Sequence, residues 1–322
     1  MSYKTQPLQF SNARRLGNRS GFTLVELLAV IGIIGILIGL TFPAAAAVRQ
    51  AARRAVCLSN VRQVIVATLT YESNGFGFPT ADNGNGGSFV LPILDHLEQP
   101  GLAERSQRSL SNGETYLERW AELSNTAVPV LICPASDDTD ELAELDSQGT
   151  FTTHYFGIAG PTGSAGGELG NAYTYRELTP QPSAGPIGLQ GLFSPEASGK
   201  FTPKQFRDIF DGTSNTLAYG EIAGIPSRTS RDFQDRSGWA FGAGNNSSGR
   251  VIEIFGCKTI TDGINVPATN LNNVPFRSNH PGGAQFALID GSTQFIETNI
   301  DLNIFKVMSS INGREPVSFT AF

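Results

Sequence analysis

The chain has 322 residues, enough for one large or two modest domains. Acidic side chains (29) outnumber basic ones (23), for a formal charge of −6, which leaves no basic field for nucleic acid. Cys57, Cys133 and Cys257 include no close-spaced pair with one another or with histidine, so no metal is assigned to them and zinc is not expected.

Residues 1–21 hold Lys4, Arg14, Arg15 and Arg19 and no acid, so they read as a basic leader. Between Phe22 and Val48, 27 residues, the only charge is Glu26. A bilayer core needs about 20 apolar residues in helical form, so this run can span a membrane. A buried core helix is the bland alternative, but core helices rarely run so long without a polar face. A secretory signal peptide is the other rival, with an Ala-x-Ala site within Phe42–Ala47. Glu26 argues against it. A carboxylate inside a bilayer costs roughly 2.5–3.5 kcal/mol at mid-depth and is by default functional.

After Pro43 the helix is expected to continue. Ala44, Val48, Ala51, Ala55, Leu58, Ile65 and Leu69 follow helical spacing, and Val56, Val61 and Val64 widen that face. Asn74-Gly75 supplies a stop. Gly75 to Ser88 reads as a loop, Phe89 to Leu97 as a short apolar segment, and Glu114 to Leu123 as a helix. Val128 to Cys133 is predicted to be a buried strand, followed by an acidic turn with Asp137, Asp138 and Asp140. Thr152 to Ile158 is another predicted strand. Gly160 to Gly191, rich in small residues and carrying Tyr173 and Tyr175, is a long loop or hairpin insertion. Asp211 to Glu221 is a turn leading into a strand, and Trp239 to Ala243 and Arg250 to Phe255 are candidate strands. Asp290-Gly291 signals a two-residue turn between β-rich arms, with Phe286 facing Phe295 and Leu288 facing Thr293. The predicted class is α+β: a long N-terminal helix packed on a mainly antiparallel sheet. Three parts are expected: a leader (1–21), a helix (22–74) whose stretch 22–48 crosses the membrane, and a large domain (75–322).

Gly21-Phe22-Thr23-Leu24-Val25-Glu26-Leu27-Leu28 resembles the processing site of type IV prepilins and type II secretion pseudopilins. The resemblance implies cleavage after Gly21 by prepilin peptidase and N-methylation of Phe22. It also implies that Glu26 neutralises the terminal amine of an adjacent subunit, either another pilin-like protein or a further copy of this chain. Pro43 matches the helix-breaking proline of many pilins. The implied location is the inner membrane, single-pass and in contact with its lipid, with the N-terminus cytoplasmic and the large domain periplasmic or extracellular. The flanking charges alone are nearly balanced, since Arg49, Arg53 and Arg54 follow the span. In an oxidising compartment two of the three cysteines can pair; Cys57 with Cys133 is the expected choice, tying helix to domain.

A second set of motifs runs through the rest of the chain. It comprises Cys57 to Gln63, Leu97-Glu98-Gln99, Cys133-Pro134, Asp211 to Thr216 with Gly220-Glu221, and His280 to Ala284 with Asp290-Gly291. Together these resemble one bacterial family of unknown function, DUF1559, numerous in planctomycetes, whose members join a prepilin-type N-terminus to a large C-terminal region. His280, Asp290 and Gly291 match its terminal H-X9-DG motif. The resemblance supplies no biochemical activity. His280, Asp290 and Glu221 invite an acid–base or metal site, but the turn explains Asp290 and Gly291, and a backbone hydrogen bond at the hairpin's base is the bland account of His280. No Gly-x-Ser-x-Gly elbow, His-Glu-x-x-His pair or phosphate loop is present. The chain is therefore read as non-enzymatic and without a cofactor. Calcium at Asp137, Asp138 and Asp140 is the more plausible cation, because hard cations want several oxygens. The leading reading is a pseudopilin-like structural or assembly component. The alternative is a membrane-tethered module that binds a glycan or other surface ligand.

Overall fold

The computed structural model describes residues 23–110, 113–136, 151–165, 173–223, 238–245, 249–267 and 270–313. The chain forms two compact units, Met1–Arg49 and Gln50–Phe322. Helix α1 (Leu24–Tyr71) begins in the first and ends in the second, and its helical geometry continues through Pro43. In the first unit every side chain from Thr23 to Arg49 is exposed, including Leu24, Ile31, Ile36, Leu40 and Phe42. That is the apolar run noted above, long and apolar enough to cross a membrane.

In the second unit the end of α1 buries Cys57, Asn60, Val61, Val64, Ile65, Ala67 and Thr68. The buried stripe is therefore confined to the last four turns. Ala51 and Ala55 stay exposed, and Leu58 and Leu69 are only half-buried. A turn over Glu72–Phe76 ends the helix, with Gly75 at φ 88°. Three short helices follow: α2 (Val90–Ile93), α3 (Pro100–Gln107) and α4 (Tyr116–Ser124). Helix α4 starts with a capping box in which Thr115 and Glu118 satisfy each other's backbone N–H groups.

The strands are β1 (Tyr155–Pro161), β2 (Ser164–Ala165), β3 (Tyr173–Thr174), β4 (Glu177–Leu178), β5 (Ile187–Gly188), β6 (Leu217–Glu221), β7 (Ala243–Asn245), β8 (Val251–Ile254), β9 (Cys257–Ile260), β10 (Gly283–Leu288) and β11 (Thr293–Glu297). Helix α5 (Leu302–Met308) closes the described chain, capped by Asp301, whose carboxylate accepts from Asn303 N–H and Ile304 N–H. The main sheet has the order β11-β10-β6-β1-β9, antiparallel except for the parallel β1–β9 pair. It packs on both faces, which explains why β10 is buried along its whole length. Ala287 and Ile289 join the cluster that contains α1, Phe89, Phe193 and Tyr219. Phe286 and Leu288 join the opposite cluster, with Phe276, Phe305 and Met308. Gly220 lies between Phe276 and Phe286, where a Cβ would collide with both rings.

Three expectations are corrected. Residues 128–133 form no strand. Pro129 opens a 3-10 turn, Pro129–Leu131, which suits its fixed φ. Trp239 lies in a turn, and only Ala243 of its segment enters β7. The β10–β11 register is one residue away from the predicted one. Phe286 pairs with Gln294, Gln285 with Phe295, and Ala287 with Thr293. The loop has three residues, not two: Gly291 N–H donates to Leu288 C=O, and Leu288 N–H donates to Ser292 C=O. Gly291 has φ 89°, as the last position of such a loop requires.

Candidate functional site

Cys57, Cys133, Glu221 and His280, each from a motif set apart by sequence, converge where α1 meets the main sheet. Cys57 on α1 is joined by a disulfide to Cys133, just after the 3-10 turn. Both are fully buried. Cys133 N–H donates to His154 Nδ1 at 2.9 Å. Burial lowers the His154 pKa to about 4, so its ring stays neutral and able to accept. Tyr155, the next residue, donates its hydroxyl to Cys57 C=O at 3.1 Å.

One row of side chains crosses the sheet beneath this part of α1. Tyr155 on β1 is opposite Glu221 on β6. Glu221 Oε2 accepts from Gln285 N–H on β10 at 3.1 Å. Gln285 in turn is opposite Phe295 on β11, and the Arg54 guanidinium of α1 stacks over that ring at 3.5 Å. His280 approaches from the segment before β10, its own N–H held by Ser278 Oγ at 3.1 Å. Its Nε2 lies 3.5 Å from Cys133 Sγ and 3.8 Å from Glu221 Oε1.

The cluster is sealed, with side-chain exposures of 3% for His280 and 0% for Glu221. Burial pushes the Glu221 carboxyl up to about 7, against the hydrogen bonds from Gln285 and Ser278. Burial also lowers the His280 pKa, with the nearby Arg54 charge adding to the effect. Glu221 Oε1 has no hydrogen-bond partner among the described residues. An unsatisfied buried acceptor costs about 1–3 kcal/mol.

The other end of β10 holds Asp290 and Gly291. Asp290 N–H donates to Thr213 C=O, and its carboxylate accepts from Ser292 N–H and hydroxyl at 2.8 and 2.6 Å. Ile289 N–H donates to Thr216 C=O. A Cβ on Gly291 would lie 3.2 Å from Leu69 Cδ1 of α1. The motif's two ends thus meet α1 at different levels, near Cys57 and at Leu69. The H-X9-DG spacing places both ends of one strand on the helix, and Asp290 and Gly291 do not join His280 in a single site. Calling Asp290 and Gly291 turn residues fits this geometry, while His280 belongs with Glu221 and the disulfide.

The predicted processing residues are only partly placed. Gly21 and Phe22 lie outside the described residues, as do Asp137, Asp138 and Asp140. Glu26 is exposed and forms a capping box with Thr23. Its Oε2 accepts from Thr23 N–H and hydroxyl at 2.9 and 2.8 Å, and Thr23 Oγ1 accepts from Glu26 N–H. The tyrosine-bearing insertion is described at 160–165 and 173–191 and forms short two-residue strands there. Tyr175 is buried, and Tyr173 accepts at its hydroxyl from Gln190. His154, Tyr155 and Arg54 were not picked out by sequence. Their roles come from contacts with residues tens of positions away, and no local pattern marks them.

These features define a class: an α+β protein whose N-terminal apolar helix fits a membrane anchor and whose sheet domain is bound by a disulfide to the end of that helix. The chain belongs to the family described as "Protein of unknown function (DUF1559)", which matches residues 46–303. The prokaryotic N-terminal methylation motif matches residues 16–42. It marks a prepilin-type protein and implies processing by prepilin peptidase and association with pilin-like subunits. No curated protein and no solved structure matches the chain.

Proposed function

We propose that this chain is a pseudopilin-like inner-membrane protein and a structural or assembly component of a type II secretion or type IV pilus-like system. Prepilin peptidase cuts after Gly21 and Phe22 is N-methylated. The stretch 22–48 is held in lipid with the large domain on the periplasmic or extracellular side. The observation that carries this reading is the methylation motif at residues 16–42, followed along α1 by side chains that are all exposed from Thr23 to Arg49. Glu26 then exchanges its local bonds with Thr23 for the terminal amine of a neighbouring subunit. The chain acts without catalysis, in keeping with the sealing of His280 and Glu221 from solvent.

The test is the N-terminal residue of protein recovered from membranes, read by mass spectrometry. N-methylated Phe22 is expected. A start after Ala44–Ala47, or an intact Met1, overturns the reading. Glu26→Ala should leave cleavage unchanged and reduce cross-linking between subunits.

A second reading, a tethered module for a glycan, draws on a cleft of about 560 Å³. Tyr71, Phe76, Asp95, His96 and Trp120 are among its lining residues, and the Phe76 ring is 62% exposed and stacked on Tyr71. Exposed aromatic faces beside polar groups suit sugar rings. Glycan-array binding that is lost in Phe76→Ala is its expected signature; an array without hits removes it.

A further inference from the structure

We propose that Cys57, Cys133, His280 and Glu221 become a four-ligand site for a zinc-class divalent cation when their disulfide is reduced. Each offers one ligand atom, and all four atoms lie within 4.8 Å of one another. In a tetrahedral site with metal–ligand bonds of about 2.0–2.3 Å, neighbouring ligand atoms stand about 3.3–3.8 Å apart. The His280 Nε2 to Cys133 Sγ distance, 3.5 Å, already matches a nitrogen–sulfur edge, and the Nε2 to Glu221 Oε1 distance, 3.8 Å, exceeds a nitrogen–oxygen edge of about 3.3–3.5 Å by only a few tenths. The main mismatch is the sulfur pair, which is bonded and must part to reach such an edge; rotation about one Cα–Cβ bond moves a sulfur far enough.

A second observation points to a ligand independently. Glu221 Oε1 is buried, lacks a hydrogen-bond partner among the described residues, and faces the imidazole. The other carboxylate oxygen is already taken by Gln285 N–H, which fixes the orientation of the group. The surrounding shell is also in place. His154 Nδ1 holds Cys133 N–H, Tyr155 hydroxyl holds Cys57 C=O, and Ser278 holds His280 N–H. Such outer partners orient ligands and support affinity. Two thiolates, one carboxylate and a divalent cation leave a net charge of −1, and the Arg54 guanidinium on the same side supplies the counter-charge.

The chemistry balances with a dithiol as reductant. Two electrons and two protons pass to the Cys57–Cys133 bond, giving two thiols while the dithiol closes to its own disulfide. Binding of the cation then releases both thiol protons to solvent, together with the Glu221 carboxyl proton wherever burial has kept that group neutral. In the reverse direction a small-molecule disulfide takes two electrons from the thiolates and two protons from solvent to become a dithiol, the sulfurs of Cys57 and Cys133 rejoin, and the cation keeps only His280 and Glu221 and leaves. Disulfide and cation are alternatives at one site: the disulfide ties α1 to the segment after the 3-10 turn, and the cation adds Glu221 of β6 to that tie. The 76-residue separation of the cysteines, with Glu221 and His280 farther along, hides this set from any spacing motif.

The test uses the full-length chain in detergent, half of it oxidised and half reduced with a phosphine. Both halves are stripped of metal, equilibrated with zinc and freed of unbound ion. Mass spectrometric metal analysis should find about one zinc per reduced chain and none on the oxidised chain. Cobalt in its place should give a thiolate charge-transfer band and tetrahedral ligand-field bands. In the reduced chain, His280→Ala and Glu221→Gln should each weaken zinc binding at least tenfold. Undiminished binding in those two variants would mean loose thiols and overturn the site. Absence of zinc from the reduced chain overturns it equally, whether that chain stays folded or not.

Discussion

Cys257 is a free thiol with no exposure, and its Sγ points at Phe193 C=O 3.7 Å away. Burial pushes its pKa up to about 12, against the attraction of Lys258. The thiolate is the reactive species, so this cysteine should be inert in the folded protein. Intact-mass measurement after alkylation at neutral pH should find no label on the native chain. It should find one in denaturant and three after reduction in denaturant. A label on the native chain at the rate of an open thiol would contradict the burial of Cys257. The same low polarity acts in opposite directions on Glu221 and His154, raising one and lowering the other. Both groups are thereby driven toward their neutral forms around the disulfide.

The β10–β11 hairpin shows what one loop residue does. Asp290-Gly291 was legible as a turn signal, but the turn also includes Ile289, which is fully buried against the α1 side of the sheet. The added residue shifts the pairing by one, and a one-residue shift exchanges the faces of a strand. It places Gln285 and Phe295 on the row with Glu221 and leaves Phe286 for the opposite core. Gly291 sits at φ 89° with Leu69 close by. Gly291→Ala should therefore destabilise the protein by about 1–3 kcal/mol in urea unfolding, from left-handed backbone strain and the crowded contact. Gly101 lies in α3 at an ordinary φ with open space around it, so Gly101→Ala should be neutral or slightly stabilising. Equal effects of the two changes would dismiss the strain account.

At the scale of the molecule, the end of α1 belongs to the second compact unit and not to an appendage of it. Val61, Val64 and Ile65 are fully buried in the same cluster as Tyr155 and Tyr219, and Thr68 shares a 2.7 Å hydrogen bond with the Tyr219 hydroxyl. A fragment beginning at Gln50 keeps these contacts and Cys57. A fragment beginning at Gly75 loses them all. The first should melt cooperatively with its disulfide formed. The second should aggregate or lack a cooperative transition, because several kilocalories of apolar burial and the cross-link are missing. A cooperative melt of the shorter fragment at the same temperature would show that the helix end is dispensable.

Local information determined much of this protein. The residues of the N-terminal methylation motif, 16–42, are contiguous, so that motif was legible in the sequence. The turn into β6, the strand pair around Asp290-Gly291 and helix α4 were legible too, since each is set by neighbouring residues. The caps at Thr115–Glu118 and Asp301–Asn303 are equally local, but the structure revealed them. Only the tertiary structure decided which part of α1 is buried, because helical spacing alone fits several faces when Ala and Val are frequent on all of them. It also decided the parallel β1–β9 pairing, the hairpin register, and the meeting of His280, Glu221 and the Cys57–Cys133 bond. Those features depend on chain closure over tens of residues, and no neighbour-to-neighbour preference encodes which distant partners will share one dry interior.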